Sequence, residues 1–162
     1  MRLILFLLTL GLLLVTHFNS PLRASEPHPD NVRSCADEAP FTLQQYRWRN
    51  RVLVVSAPNA DDSETLQQLA ELAATSDEFA DRDMVLVTLL DNADSMSDSC
   101  KLTSAEVAAA RTDLGIRPGA FVLKLIGKDG SVKLTTSGAT SMQEIYALID
   151  SMPMRQREIS EG

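Results

Sequence analysis

Apolar positions along the chain fall into short blocks set apart by turn-forming clusters. Val52 to Ser56, Met84 to Leu90 and Ala120 to Ile126 are compact apolar runs rich in β-branched residues. Runs of this length predict strands with little solvent on either face of a sheet. After the first, Asp61 and Glu64 stand at capping-box spacing, and Leu66, Leu69, Ala70 and Ala73 follow at i, i+3, i+4 and i+7. That spacing predicts a helix whose apolar face continues to about Phe79. After the second run, Thr103 and Glu106 repeat the signal, Val107, Ala110, Arg111 and Leu114 share one face, and Gly115 is a natural stop. After the third, Lys128-Asp129-Gly130-Ser131 is a hairpin turn into Val132 to Thr135. Ser141 with Glu144 opens a last helix bearing Ile145, Leu148, Ile149 and Met152, and Pro153 is expected to end it. Phe41 to Tyr46 has room for one helical turn, and Met154 to Gly162 reads as a polar tail.

Strand, helix, strand, helix, strand, hairpin strand, helix is the core order of a thioredoxin-like fold. The expected architecture is α/β: a three-layer sandwich around a four-stranded mixed sheet (β-α-β-α-β-β-α). Its first three strands are expected parallel and the fourth antiparallel at an edge. The corresponding division is a domain over 41–158 and a tail over 159–162.

The N-terminus changes the picture of where this domain works. Met1-Arg2 precedes an almost unbroken apolar run from Leu3 to Val15, too short to span a membrane as a helix, followed by small and polar residues. This reads as a signal peptide over 1–24, cleaved after Ala24, and hence as export to a periplasm or the exterior. Leu22, two places earlier, spoils a clean small-x-small site, so an uncleaved N-terminal anchor stays open as the alternative. Residues 25–40 carry three prolines without apolar period and read as a flexible leader. Cleavage removes Arg2 and Arg23 and no carboxylate, so a chain of net charge −7 becomes more acidic. Phosphate backbones and anionic membrane surfaces are therefore poor partners. The expected partner is a protein or small-molecule ligand, with no stable membrane span after cleavage.

Two cysteines, Cys35 and Cys100, are an even count in a chain expected to be exported, which favours a disulfide. Closing that loop of about 65 residues stabilises by roughly 4 kcal/mol in the chain-entropy picture. The rival reading gives Cys100 a reactive role with Cys35 as its resolving partner. Cys100 lies three residues before the Thr103 cap and beside Lys101, and a helix N-terminus and a cation both lower a thiol pKa.

Other chemistries find little support. A Ser-His-Asp or Cys-His site needs a core histidine, and after cleavage only His28 in the leader remains. Zinc sites need several Cys or His ligands. Asp91, Asp94 and Asp98 lack the alternating ligands, central Gly and terminal Glu of a calcium loop, so a solvated loop is the better reading. No metal or cofactor is expected. Arg47-Trp48-Arg49-Asn50-Arg51 is either an anion-binding edge or, as charge runs usually are, a solvated strand entry with Trp48 packed inward. Arg111, on an apolar stripe, either snorkels at the core edge or points into a pocket as an anion ligand.

Tyr46-Arg47-Trp48-Arg49-Asn50-Arg51-Val52-Leu53, Ala57-Pro58, Arg82-Asp83, Gly127-Lys128-Asp129-Gly130 and Met152-Pro153-Met154-Arg155 together resemble a family catalogued as a domain of unknown function. That family looks like a divergent branch of the peroxiredoxin-like thioredoxin fold, found in small exported bacterial proteins and in animal extracellular sushi-repeat proteins. The resemblance implies a fold and an exported setting, and brings no catalytic residues. It also implies that the position of a peroxidatic cysteine falls around Asn59 to Asp62, where this chain has a carboxamide and carboxylates. Arg117 lies near the position of an arginine that assists peroxide reduction in peroxiredoxins, with Pro118 intervening. The chain is therefore expected to be a non-catalytic binding or interaction module, with thiol-dependent oxidoreductase chemistry at Cys100 as the alternative. Arg111, Arg117, Asp61 and Asp62 are the binding candidates, joined by Asn59 as a surface contact.

Overall fold

A computed structural model describes residues 33–34 and 40–161. The expected signal peptide, most of the expected leader and Cys35 lie outside the described residues. The strands are β1 (Arg33–Ser34), β2 (Arg51–Ala57), β3 (Met84–Leu90), β4 (Met96–Ser97), β5 (Cys100–Lys101), β6 (Val122–Ile126) and β7 (Val132–Thr136). The helices are α1 (Ser63–Ala74), α2 (Ser76–Asp81), α3 (Ser104–Leu114), α4 (Met142–Asp150) and α5 (Pro153–Glu161), with a 3-10 turn at Leu43–Tyr46. The sheet order is β1-β5-β4-β3-β2-β6-β7.

The four expected strands are present, and three two-residue strands extend the sheet beyond them. Two come from the 91–101 segment, where Met96 pairs with Thr88 and Lys101 with Met96. The third, Arg33–Ser34, falls in the expected leader and runs parallel to β5. One pairing differs from expectation: β2 and β3 are parallel, but β6 runs antiparallel to β2. The segment between β3 and β6 leaves and returns at the same end of the sheet. Leu102 N–H bonds Ser95 O near the start of α3, and Gly119 N–H bonds the Asp91 carboxylate just before β6. A chain re-entering at the end it left must run the opposite way.

β2 is buried at all seven positions because helices cover both faces of the sheet. Leu53, Val55 and Ala57 point into a cluster with Met142, Ile145 and Ile149 of α4, joined by Leu72 of α1. Val52 and Val54 face the other way, into a cluster with Phe41, Ala110 and Ile116. The three-layer sandwich is thus built on strand alternation.

Several local expectations are corrected. Asp62, not Asp61, caps α1 by accepting from Thr65 N–H, and Glu64 instead accepts from Ala139 N–H at 2.6 Å. The buried face of α1 is Thr65 and Gln68, while Leu66 is 55% exposed. Gln68 is buried because its amide bridges two elements, accepting from Thr140 N–H and contacting the Met142 sulfur. The helix breaks at Thr75, so Phe79 belongs to a separate short helix. Trp48 does not pack inward. It is 61% exposed at φ 66°, held there by its N–H bonding Lys128 O. The Ser141 helix ends at Asp150, short of Pro153, but Pro153 then opens a further helix, α5, where its fixed φ and missing N–H cost nothing. The expected tail is therefore helical through Glu161 and buries Arg155. The Thr103–Glu106 capping box and the left-handed Gly115 stop are as expected.

A charged network ties α5 to the sheet at the amino end of β2. Arg51 donates from Nη2 to both oxygens of Glu158 and from Nη1 to Arg82 O. Lys128 bridges Asp83 and Glu158, each at 2.7 Å. Arg82 clasps Asp150 and lies over the Tyr146 ring, while Arg155 joins Asp81 and Asp150. Four cations meet four carboxylates, so the motif residues Arg51, Arg82, Asp83, Lys128 and Arg155 act as a structural clasp.

Candidate functional site: the cleft at the carboxyl ends of the central strands

In open α/β sheets the crevice beyond the carboxyl ends of parallel strands is where ligands gather. Here that end is sewn together by Asp91 N–H to Ala57 O and Asn92 N–H to Pro58 O. A cleft of about 910 Å³ opens beside it, walled by the end of β3, the segment leading into α3, one face of α3 and residues 115–118. The wall from α3 follows from its periodicity, since Ser104, Val107, Ala108, Arg111, Thr112 and Gly115 lie on one stripe.

Arg111 and Asp91 form the floor. The Arg111 side chain is 12% exposed; Nη2 donates to Leu89 O at 2.9 Å and lies 2.5 Å from Asp91 Oδ1. Asp91 Oδ2 accepts the Gly119 N–H at 2.7 Å. Gly119 holds φ 92°, a conformation few side chains tolerate, and so can present its amide there. The pair is nonetheless under-bonded. Arg111 Nε is buried with no acceptor, and Asp91 Oδ1 touches the guanidinium without hydrogen-bond geometry. Ser56 Oγ and Asn59 Oδ1, at the carboxyl end of β2, complete the buried side-chain polar atoms without a partner among the described residues. All four lie at this one end of the sheet, whereas the clasp at the opposite end is fully paired. At the mouth, Lys101 is paired with Asp94 at 2.7 Å, and exposed Arg117 makes no ion pair or hydrogen bond among the described residues.

The structure thus brings Arg111 and Arg117 into one cleft, separated along the chain by the Gly115 turn. Asp61 and Asp62 do not reach it. Asp62 is occupied by the α1 N-terminus, and Asp61 is exposed in the turn before it. Asp91 and Asp94, weighed as calcium ligands, are held by Arg111 and Lys101. Cys100 sits on β5 next to Lys101, and no cysteine among the described residues is a free thiol. Asp91 as the counterion of Arg111 has no signature in sequence, because 20 residues and two strands, β4 and β5, separate the two.

Glu106 braces the start of α3, the helix that walls the cleft. Its carboxylate accepts Phe41 N–H at 2.6 Å and Thr103 N–H at 2.8 Å, tying the chain before the 3-10 turn to the start of α3. The Phe41 N–H chiefly, then the Thr103 amide and hydroxyl, hold its carboxyl below the usual carboxylate range. A second cavity of about 300 Å³ borders the clasp, but its cations are already satisfied, Arg51 and Lys128 by Glu158 and Lys133 by Asp129.

Residues 42–158 match the profile of a family described as "Domain of unknown function (DUF4174)". The chain belongs to this family. It is also similar to coiled-coil domain-containing protein 80 of Danio rerio, 31% identical over 164 residues. That match takes in 88% of this chain but 19% of the length of the zebrafish protein. Among solved structures the chain is similar to the reduced 2-Cys peroxiredoxin of Plasmodium vivax, with a TM-score of 0.53 and 16% identity over 72% of this chain and 85% of the other. A Plasmodium yoelii thioredoxin peroxidase I superposes equally well, with a TM-score of 0.53 and 15% identity over 72% of this chain and 80% of that one. At such identities the likeness establishes a peroxiredoxin-like thioredoxin fold and nothing of its chemistry.

Proposed function

We propose that this protein is an exported, non-catalytic binding module built on the thioredoxin fold. One observation carries the reading: the corner between β2 and α1 is Pro58-Asn59-Ala60-Asp61-Asp62, with no thiol, and Asp62 is spent on capping the helix. The N-terminus of α1, which elsewhere would stabilise a thiolate, instead has its Thr65 N–H met by the Asp62 carboxylate. What remains at this end of the sheet is a cleft with arginines on its wall. Export rests on the apolar run from Leu3 to Val15 and is checked by the mass of the chain recovered from an exporting host, expected to begin at Ser25. Retention of Met1 would favour the anchored form.

Cys35 and Cys100 are proposed to be bridged. Cys100 is not a free thiol, and its strand partner Arg33 lies two residues before Cys35 in a parallel register. The rival redox reading leans on Lys101 and the α3 N-terminus lowering the Cys100 pKa. Lys101 is turned to Asp94, and the α3 terminus is closed by the Thr103–Glu106 box, so both influences are already engaged. The test is consumption of peroxide and reduction of insulin disulfides by the purified protein. No turnover is expected; turnover that disappears in Cys100→Ser overturns the binding-module reading. Thiol titration without reductant is expected to find no free thiol, and two would remove the bridge.

A further inference from the structure

We infer that the cleft beside Arg111 takes a small organic monoanion, an apolar body bearing one carboxylate, gripped by Arg111 within and Arg117 at the mouth. This rests on the reading of the chain as a binding module and names what the module binds.

Charge sets the first constraint. Of the charged residues lining the cleft, Arg111 is matched by Asp91 and Lys101 by Asp94, which leaves Arg117 as one uncompensated positive charge. A single carboxylate balances it, whereas a dianion or a cation does not. A divalent cation is further disfavoured because both carboxylates already have cationic partners. The apolar lining sets the second constraint: Leu102, Val107, Ala108, Ile116 and Pro118 contribute to the walls, so an inorganic anion leaves most of the cleft unfilled.

The floor supplies the reason a carboxylate is held there rather than merely attracted. Arg111 Nε has no acceptor, and the Asp91 Oδ1 contact lacks hydrogen-bond geometry, so the guanidinium is incompletely bonded in its present position. Buried donors left unpaired are costly, and a planar guanidinium pairs best with two parallel carboxylate oxygens. A ligand carboxylate in the cleft pairs guanidinium donors that Asp91 does not serve, with the Arg111–Asp91 ion pair kept. Asp91 stays beside Arg111, its Oδ2 held by the Gly119 N–H at 2.7 Å. The ligand carboxylate thus adds to the existing Arg111–Asp91 pair, and Arg117 balances its charge.

The probes are phenylacetate, its neutral analogue phenylacetamide and inorganic phosphate, titrated into the full chain with amide chemical shifts as readout. Phenylacetate is expected to produce saturable shifts at Ser104, Ala108, Gly115 and Gly119. Phenylacetamide and phosphate are each expected to bind at least about tenfold more weakly, one lacking the charge and the other the apolar body. Arg117→Gln, an exposed residue without partners, is expected to weaken phenylacetate about tenfold while leaving the urea midpoint unchanged. No saturable shift, shifts centred elsewhere, equal affinity for either control, or an unaffected Arg117→Gln overturns the inference. Peroxide consumption is followed on the same samples. Turnover there removes the non-catalytic reading whatever the titration shows, whereas a failed titration without turnover removes only the ligand assignment.

Discussion

Arg51, 1% exposed at the first position of β2, grips the carboxylate of Glu158 on α5 with one guanidinium nitrogen, at 3.2 and 3.0 Å to its two oxygens. The two residues are 107 positions apart, and their pairing docks the last helix onto the amino end of the sheet. A buried guanidinium needs a counterion, and removing one partner strands the other.

Glu158→Gln is accordingly expected to destabilise by about 2 kcal/mol, less than a fully dry pair because Arg51 keeps Arg82 O and Lys128 keeps Asp83. Lys133→Ala, which breaks a surface pair with Asp129, is expected to cost under about 0.5 kcal/mol. Urea unfolding of the two variants decides it; equal midpoints would mean the clasp contributes no more than a surface ion pair.

The same clasp predicts an acid limb in stability. Burial raises the Asp150 carboxyl, but the hydrogen bond and charge of Arg82, then those of Arg155, outweigh it and hold it below the usual range. Glu158 behaves alike, with burial opposed by Lys128 and Arg51. Folded-state values below the unfolded ones give stability that is complete above the unfolded values, by about pH 5, and lost as the pH falls through the folded ones. The urea midpoint should therefore be level from about pH 7 to 5 and then decline, and Glu158→Gln should flatten the decline. Asp129, pulled to about 2 chiefly by the Lys133 hydrogen bond, lies on the surface, so its share should vanish in salt of about 0.5 M while the clasp's persists.

Glu106 closes the capping box of α3 and also receives the Phe41 N–H. Thr103→Ala removes the cap alone and should cost about 1 kcal/mol, whereas Glu106→Ala should cost more because it also releases Phe41. Amide exchange at Phe41 is the specific readout: unchanged by Thr103→Ala, faster in Glu106→Ala.

Gly115 ends α3 at φ 62°, and a β-carbon there would meet nothing within 4 Å. Any cost of Gly115→Ala is thus conformational, about 1 kcal/mol, and Gly115→Asn should recover part of it. A larger loss for alanine, unrelieved by asparagine, would point to packing instead.

What the sequence determined by itself is the succession of strong local signals. Val52–Ser56, Met84–Leu90 and the Asp129-Gly130 turn define strands because burial and turn chemistry act over a few residues. The Thr103 cap and the Gly115 stop were legible for the same reason. The buried face of α1 was decided by partners far along the chain: Gln68 is inside because Thr140 and Met142 meet its amide. The direction of β6 followed from where its connection re-enters the sheet, which no local pattern encodes. Arg111 and Arg117 stood out in sequence, but their shared cleft and the Asp91 counterion exist only once α3 packs across the end of β3. Charges pair through space, so a sequence names the ions and only the tertiary structure chooses their partners.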